Sequence, residues 1–468
     1  MSERMGRSLP IWPDRPGAIS KEYAPYCRLN PRPLRADYVL AWRTNFPVLR
    51  RTWHENRPEG PAKLKIVVLS SLAYSLTNFR GDLLRAMKAN GHEVVAVAPD
   101  HDEKVERELA ESGIAFRTVP MSRAGMNPFA DLWLMLQYFF LFLRERPELV
   151  LAYTQKPIVY GGLVSRLLGI PRFFPLMSGL GHVFSPDSGV RPLIRSAVAR
   201  LYRLAVRRAQ TIFVFNSDDR RDMLDLGIIG PDQNVLQVPG SGVDLQRFPK
   251  VEPPHGRMHF LLVARLLRNK GILEFLEASS VVKRSCDRCE FTVLGHIDGE
   301  NPAGFTKDEI AGFARDYPVE FVPGTDDVRP FLADSSVFVL PSTYREGLPR
   351  TILEALSTGR AVITTDMPGC RDAIDDGSNG FLVKPGNADD LARAMMKFVA
   401  EPNLVFDMAT RSRTRAERTY DVEIVNRMLL YEMDLLRLSG GPTKPRPTDK
   451  PAENLAPRPA FAEKRKVG

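Results

Sequence analysis

Apolar runs recur along the chain, each followed by a polar loop and a stretch with helical spacing. In the first half they are LKIVVLSS (64–71), EVVAVAP (93–99), ELVLAY (148–153), RFFPLM (172–177) and QTIFVFN (210–216). Runs that lack in-and-out alternation suit parallel strands buried on both faces. Between the first two, Asn78–Asn90 reads as a loop and helix that stops at Gly91. That is the β-loop-α-β opening of a doubly wound sheet. The rhythm restarts at MHFLLVARL (258–266), with a helix in GILEFLEASSVVKR (271–284). Further strands read at EFTVLG (290–295), VEFVPG (319–324), SVFVLP (336–341), RAVITTD (360–366) and GFLVK (380–384).

The joint between the two series is VPGSGVDLQRFPKVEPPHGR (238–257), rich in Gly and Pro and without a period, as befits an interdomain linker. The expected architecture is α/β: two Rossmann-like domains facing across a cleft, over 61–245 and 246–422. A helix at 423–440 is expected to return to the first domain. Residues 1–60 read as a partly ordered extension, with a weak helical patch around Tyr38–Leu49, and 441–468 as a Pro- and Lys-rich disordered tail. The cleft is where a ligand is expected, because the carboxyl ends of both sheets open there.

Composition narrows the class. A chain of 468 residues with 44% hydrophobic and 26% charged residues excludes general disorder, collagen and coiled coil. The net charge of +9 suggests nucleic acid until it is divided along the chain. Residues 61–250 carry 24 Lys/Arg against 18 Asp/Glu, whereas 251–440 carry 23 against 29. The acidic second half and the lack of an aromatic platform or recognition-helix motif argue against a nucleic-acid partner. Four scattered cysteines make no disulfide framework and point to a reducing compartment; the Cys286–Cys289 CxxC, without further ligands, reads as coincidence rather than zinc. No secretory signal or run of 18 apolar residues is evident, so a cytoplasmic location is expected.

Two stretches carry candidate chemistry. In SVFVLPSTYREGLPRTILEALSTGRAVITTD (336–366) a strand ends at Pro341, and a helix begins near Pro349 and stops before Gly359. Glu346 lies in the loop, and Glu354, seven residues after Gly347, falls on the side of the helix nearest it. The expectation is two carboxylates and a helix N-terminus converging on one spot, suited to sugar hydroxyls and a phosphate. In VARLLRNKGILEFLEA, Arg265 and Lys270 lie between a strand and a helix at the same end of the sheet, where they would neutralise a diphosphate. Solvated surface loops are the plain alternative for either stretch alone.

These residues resemble the retaining glycosyltransferase family 4, which has the GT-B fold. Its E-x7-E motif is matched by Glu346 and Glu354 in REGLPRTILEAL, and its Arg/Lys pair by Arg265 and Lys270. HIDGENPAGF (296–305), DDVRPFLADSSVFVLPS (326–342) and TDMPGCRDAIDDGSNGFLVKPGN (365–387) resemble the bacterial capsule, O-antigen and glycan-precursor subgroup, as do NFRGDLL, GLGHVF and FNSDDRRDM. The likeness covers about 63–440. It implies that Glu346 contacts donor-sugar hydroxyls and Glu354 the ribose. It further implies that Arg265 and Lys270 hold the diphosphate, with Gly347, Leu348 and Gly295 lining the donor site. The implied reaction moves a sugar from a nucleotide-diphosphate donor, expected to be uridine-linked, to a lipid-linked saccharide, without a cofactor or metal.

The first loop departs from the family's Gly-rich pattern, having only Gly81 in SSLAYSLTNFRGDLL. Asn78 and Arg80 are therefore acceptor or phosphate candidates, and Gly181 and His182 cleft candidates; for His182, capping, cleft-lining and catalytic roles stay open. Asp298–Glu300 and Asp218–Asp219 make no Asp-x-Asp metal motif. LWLMLQYFFLFL (132–143) reads as a buried Rossmann helix in preference to a membrane-inserted face. The arginine-rich 189–210 suits an anionic membrane surface, so peripheral attachment is expected. A nucleotide-sugar epimerase of the same fold and a transferase with a soluble acceptor are the competing readings.

Overall fold

The computed structural model describes residues 63–122, 127–180, 182–184, 191–299 and 301–436. The expectations for 1–60 and 441–468 lie outside the described residues, as does Gly181.

Two parallel sheets form, as the apolar runs require. The first comprises β1 (Lys65–Leu69), β2 (Glu93–Ala98), β3 (Ala115–Thr118), β4 (Leu149–Tyr153), β5 (Arg172–Met177), β6 (Ile212–Val214) and β7 (Val235–Gln237), in the order β3-β2-β1-β4-β5-β6-β7. The second comprises β8 (Met258–Val263), β9 (Cys289–Gly295), β10 (Glu320–Pro323), β11 (Val337–Leu340), β12 (Ala361–Thr365) and β13 (Gly380–Val383), in the order β10-β9-β8-β11-β12-β13. Strand order reverses between β1 and β4 and between β8 and β11. Such switch points open crevices at the strands' carboxyl ends.

Apolar clusters lie on both faces of each sheet. One of them is continuous between lobes, running from Ile66 and Phe215 through Val243 and Leu348 to Ile352 and Val425. The segment after β7 is therefore more than a spacer: Val238, Val243 and Phe248 are buried in this shared core. Val243 exchanges backbone hydrogen bonds with Tyr420 and Val422 at 2.7 and 3.0 Å. The Val422–Glu432 helix packs on the Gly81–Ala89 helix of the first lobe. There Glu432 accepts from Thr211 and Asn234 (2.7 and 2.9 Å), and the His92 ring bridges the Leu64 N–H (3.3 Å) and the Leu435 carbonyl (2.9 Å).

Several expectations are corrected. The loop and helix read at 78–90 form, the helix spanning Gly81–Ala89, but a further short helix, Ala73–Asn78, precedes them and is separated from it by Phe79 and Arg80. The short strands β3 and β7 escape the apolar pattern because neither contains a fully buried residue. The apolar segment 132–143 belongs to the Pro128–Glu145 helix, which is not buried all round. Leu134, Tyr138 and Phe142, spaced by four, face the core, whereas Phe129, Leu132, Trp133, Phe140 and Leu143 are exposed. A helix in an outer layer has only one stripe to bury.

The CxxC is also corrected. The Ile272–Ser285 helix ends at Cys286, and the Cys289 N–H returns to the Cys286 carbonyl at 3.1 Å. This turn brings the two Cα atoms to 5.5 Å, within bridging range, and the pair forms a disulfide. Cys370, by contrast, is a buried free thiol whose pKa burial pushes up to about 12.

Candidate active site

The site lies at the β8/β11 switch point. After β8 the chain passes Arg265 and makes one 3-10 turn, Arg268–Lys270, that ends at Gly271. Gly271 has φ of 75°, and a Cβ there would lie 2.0 Å from the Pro341 carbonyl oxygen, so only glycine brings the two loops this close. The Asn269 carbonyl then accepts from Ser342 Oγ (3.2 Å) and the Thr343 N–H (3.0 Å), tying the post-β8 and post-β11 loops together.

Lys270 Nζ forms an ion pair with Glu346 Oε1, and both side chains are about 15% exposed. Ser342 Oγ also lies 3.2 Å from the same carboxylate oxygen, its single proton shared between that oxygen and the Asn269 carbonyl. Arg265 lies apart from that pair. Its half-exposed guanidinium is held by Asp298 at 3.0 Å, which leaves the remaining donors of its planar fork facing solvent.

Glu354 has a partner on its own helix. It is buried and pairs with Arg350, one turn earlier on the Arg350–Thr358 helix, at 3.1 Å. Burial pushes its carboxyl above the usual range, opposed by Arg350. The two glutamates thus have separate cations, Lys270 and Arg350. Arg350 also donates to the Asn78 carbonyl in the other lobe and lies 5.5 Å from the Phe79 ring. Gly295 ends β9 against β10, and a Cβ there would lie 1.9 Å from the Ala264 carbonyl oxygen, so close strand packing accounts for this glycine.

Across the cleft, Arg80 is buried between the rings of Tyr153 (5.7 Å) and Phe215 (5.4 Å), and its Nε has no hydrogen-bond partner. Burial lowers its pKa to about 10, so the guanidinium stays charged at neutral pH. Tyr153 joins Ser75 (3.0 Å) and Ser70 in a hydroxyl chain at the β1/β4 switch point. Thr154, with φ of 70°, adds a buried hydroxyl without a partner. Asn78 contributes its carbonyl, through Arg350. His182 opens the 3-10 turn His182–Phe184, and its side chain lies outside the described residues.

The loop that carries Glu346 is pressed against the first lobe. Gly347 has no room for a Cβ, which would lie 2.5 Å from the Ser178 carbonyl oxygen, and Leu348 packs on Gly240. Arg345 pairs with Asp222. The buried Asn216 donates to the Glu346 and Gly347 carbonyls at 3.3 and 3.0 Å. Asp219 beside it is pushed up to about 7 by burial, opposed by its hydrogen bond from Asn216. Sequence reasoning missed Ser342, Arg350 and Asn216. Only Arg350 had a signal, its i,i+4 spacing from Glu354.

Residues 77–240 match the family described as "Glycosyl transferase 4-like domain", and residues 257–401 match "Glycosyl transferases group 1". The chain is 27% identical over 388 residues to the N,N'-diacetylbacillosaminyl-diphospho-undecaprenol alpha-1,3-N-acetylgalactosaminyltransferase of Campylobacter jejuni, covering 79% of this chain and 98% of that enzyme. It is 23% identical to the capsular polysaccharide biosynthesis glycosyltransferase CapM of Staphylococcus aureus, over 77% of this chain and 94% of CapM. The crystal structure of Anabaena HepE in complex with UDP superposes with a TM-score of 0.63 at 17% identity, covering 80% of this chain and all of that one. With each lobe built on its own doubly wound sheet and each matched by a glycosyltransferase family, the chain belongs to the GT-B glycosyltransferases of the capsule and O-antigen type.

Proposed function

We propose that the enzyme moves a sugar from a uridine diphosphate donor to a lipid-linked saccharide, with retention at the anomeric carbon. The observation that carries this reading is the Lys270–Glu346 pair at the β8/β11 crevice, with Arg265, paired with Asp298, in the same post-β8 segment as Lys270. The Campylobacter relative's name supplies the acceptor class, a saccharide on diphospho-undecaprenol.

In the proposed reaction Glu346 accepts hydrogen bonds from donor-sugar hydroxyls, and Gly347 and Leu348 present backbone to the donor. Glu354 holds the ribose, sharing its carboxylate with Arg350. Gly295 lines the nucleotide. Arg265 and Lys270 neutralise the diphosphate as the bond from the anomeric carbon to phosphate oxygen breaks. The acceptor hydroxyl attacks from the face that the phosphate leaves, a new glycosidic bond forms, and the hydroxyl proton passes to the departing phosphate. Neither glutamate acts as a glycosidase acid or base, since each carboxylate has a cation of its own. Arg80 and Asn78 are assigned to the acceptor side, Arg80 from beneath the cleft between Tyr153 and Phe215 and Asn78 through its link to Arg350.

The acceptor reading also assigns a membrane-facing surface to the first lobe. No helix among the described residues is long and apolar enough to cross a membrane. The Pro128–Glu145 and Pro192–Val206 helices flank the Gln155–Leu167 helix. The first exposes Phe129, Trp133 and Phe140, and the second exposes Leu193, Leu201 and Leu204 on the same helix as the exposed Arg200 and Arg203, with Arg207 at its end. Exposed apolar side chains and arginines on these helices suit peripheral attachment to an anionic leaflet on the cytoplasmic side.

The deciding experiment offers a panel of nucleotide-sugars with and without a lipid extract from bacterial membranes. UDP release from a UDP-sugar that requires the extract, with the product's anomeric configuration matching the donor's, is the expected result. Interconversion of the free nucleotide-sugar would favour an epimerase, and release with water-soluble saccharides alone would favour a soluble acceptor.

A further inference from the structure

Asn216 follows β6 in the first lobe and is completely buried. Its two amide atoms serve different purposes. Oδ1 accepts from the Asp219 N–H at 2.7 Å and caps the Ser217–Asp225 helix. Nδ2 faces three oxygens: Asp219 Oδ2 at 2.9 Å, the Gly347 carbonyl at 3.0 Å and the Glu346 carbonyl at 3.3 Å. This surrounding settles the orientation of the amide, because a flipped group would set oxygen against all three acceptors.

The peptide that Asn216 grips is confined from both sides. A Cβ on Gly347 would lie 2.9 Å from the Phe215 ring, and a Cβ on Gly369 would lie 2.4 Å from the Glu346 carbonyl oxygen. The peptide therefore has little room to shift while the first lobe is in place, and Asn216 is the side chain there that donates to both of its carbonyls.

We infer that Asn216 is a positioning residue, which from the opposite lobe sets the peptide that carries the Glu346 carboxylate toward Lys270. This rests on reading Glu346 as the donor-sugar contact. The carboxylate then takes its working position only when the first lobe is seated against the loop, so donor alignment depends on lobe closure. Ser and Asp both cap helices well, so Asn216→Ser and Asn216→Asp spare the helix while removing the NH2 group that donates to both carbonyls, Asp carrying no donor and Ser only one, on a shorter side chain. In Asn216→Asp a carboxylate also faces two carbonyls and Asp219.

The test compares the full chain with Asn216→Ser, Asn216→Asp and Glu346→Gln. Hydrogen exchange is read at residues 344–348 and 217–226, UDP affinity by calorimetry, and turnover as UDP release from UDP-N-acetylhexosamines with membrane lipid extract. Asn216→Ser is expected to speed exchange at 344–348 by about tenfold, the worth of one or two buried hydrogen bonds, and to leave the helix protected. Its kcat should fall by about tenfold or more while UDP affinity changes less than about threefold. Asn216→Asp should show the same pattern, larger. Unchanged exchange at 344–348, or equal loss of protection in 217–226, overturns the inference and leaves Asn216 a helix cap. If Glu346→Gln keeps full turnover, the donor-contact reading of Glu346 fails, and the kinetic consequence assigned to Asn216 falls with it. The exchange data still decide separately whether Asn216 holds the loop.

Discussion

Lys270 and Glu346 reach each other from the loops after β8 and β11, neighbouring strands whose connections run to opposite sides of the sheet. The cation that would meet a diphosphate and the carboxylate that would meet a sugar are thus already joined, and each holds the other's charge in a partly enclosed crevice. Binding a donor exchanges this internal pairing for contacts with its phosphate and hydroxyls.

Replacing Lys270 or Arg265 with Ala should lower turnover by about two orders of magnitude, as for loss of a charge that stabilises the leaving group. The two differ in stability. Lys270→Ala leaves the enclosed Glu346 without its cation and should cost about 1–3 kcal/mol. Arg265 is half-exposed, so its loss should leave the thermal midpoint nearly unchanged. Turnover should persist in excess chelator; abolition with rescue by magnesium or manganese would refute a metal-free mechanism.

Glu354→Ala and Glu346→Ala should differ in kind. If Glu354 holds the ribose as proposed, its loss removes that contact and releases Arg350, so affinity for free UDP should fall. Loss of Glu346 should spare UDP binding and lower turnover. Equal loss of UDP affinity in one calorimetric series would remove the distinction.

Asp219 makes stability depend on pH. Burial raises its carboxyl to about 7, so the folded protein holds this proton where the unfolded chain has released it. Its contribution therefore favours folding at acid pH and is lost as pH rises from about 4 toward 7. Asp219→Asn keeps an acceptor for Asn216 and abolishes the titration. Measured by urea unfolding, the variant should gain on the wild type by about 1–4 kcal/mol between pH 5 and pH 8.5. A difference constant across that range would show that burial does not hold the proton.

The first lobe should bind anionic vesicles reversibly. An arginine near an anionic leaflet is worth on the order of 1 kcal/mol, and the attraction fades within a Debye length. Co-sedimentation with phosphatidylglycerol vesicles should be strong at low salt and weak at high salt. It should be reduced by Arg200/Arg203/Arg207→Glu, and separately by Phe129/Trp133/Phe140→Ser, which removes the apolar contribution. Wild-type indifference to these vesicles at low salt would make a soluble acceptor the better reading.

The alternation of apolar runs and loops by itself determined the fold class, because a strand buried on both faces must be apolar throughout and its period is local. The switch-point loops were legible for the same reason: Arg265 and Lys270 lie in the segment after β8 and Glu346 in the loop after β11, with Glu354 on the helix that follows. What those side chains touch was decided only by the tertiary structure. Glu346 turned to Lys270 because partners are chosen by distance in space, here 76 residues apart along the chain, whereas the Arg350–Glu354 pair is local, one helical turn apart. Asn216 shows the limit most sharply, since the sequence NSDD identifies a helix cap but carries no trace of the carbonyls that its other amide atom meets, 130 and 131 residues away. The exposed stripe of the Pro128–Glu145 helix was hidden for a related reason. An all-round apolar helix looks buried in sequence, and only its placement in an outer layer leaves Phe129, Trp133 and Phe140 facing out.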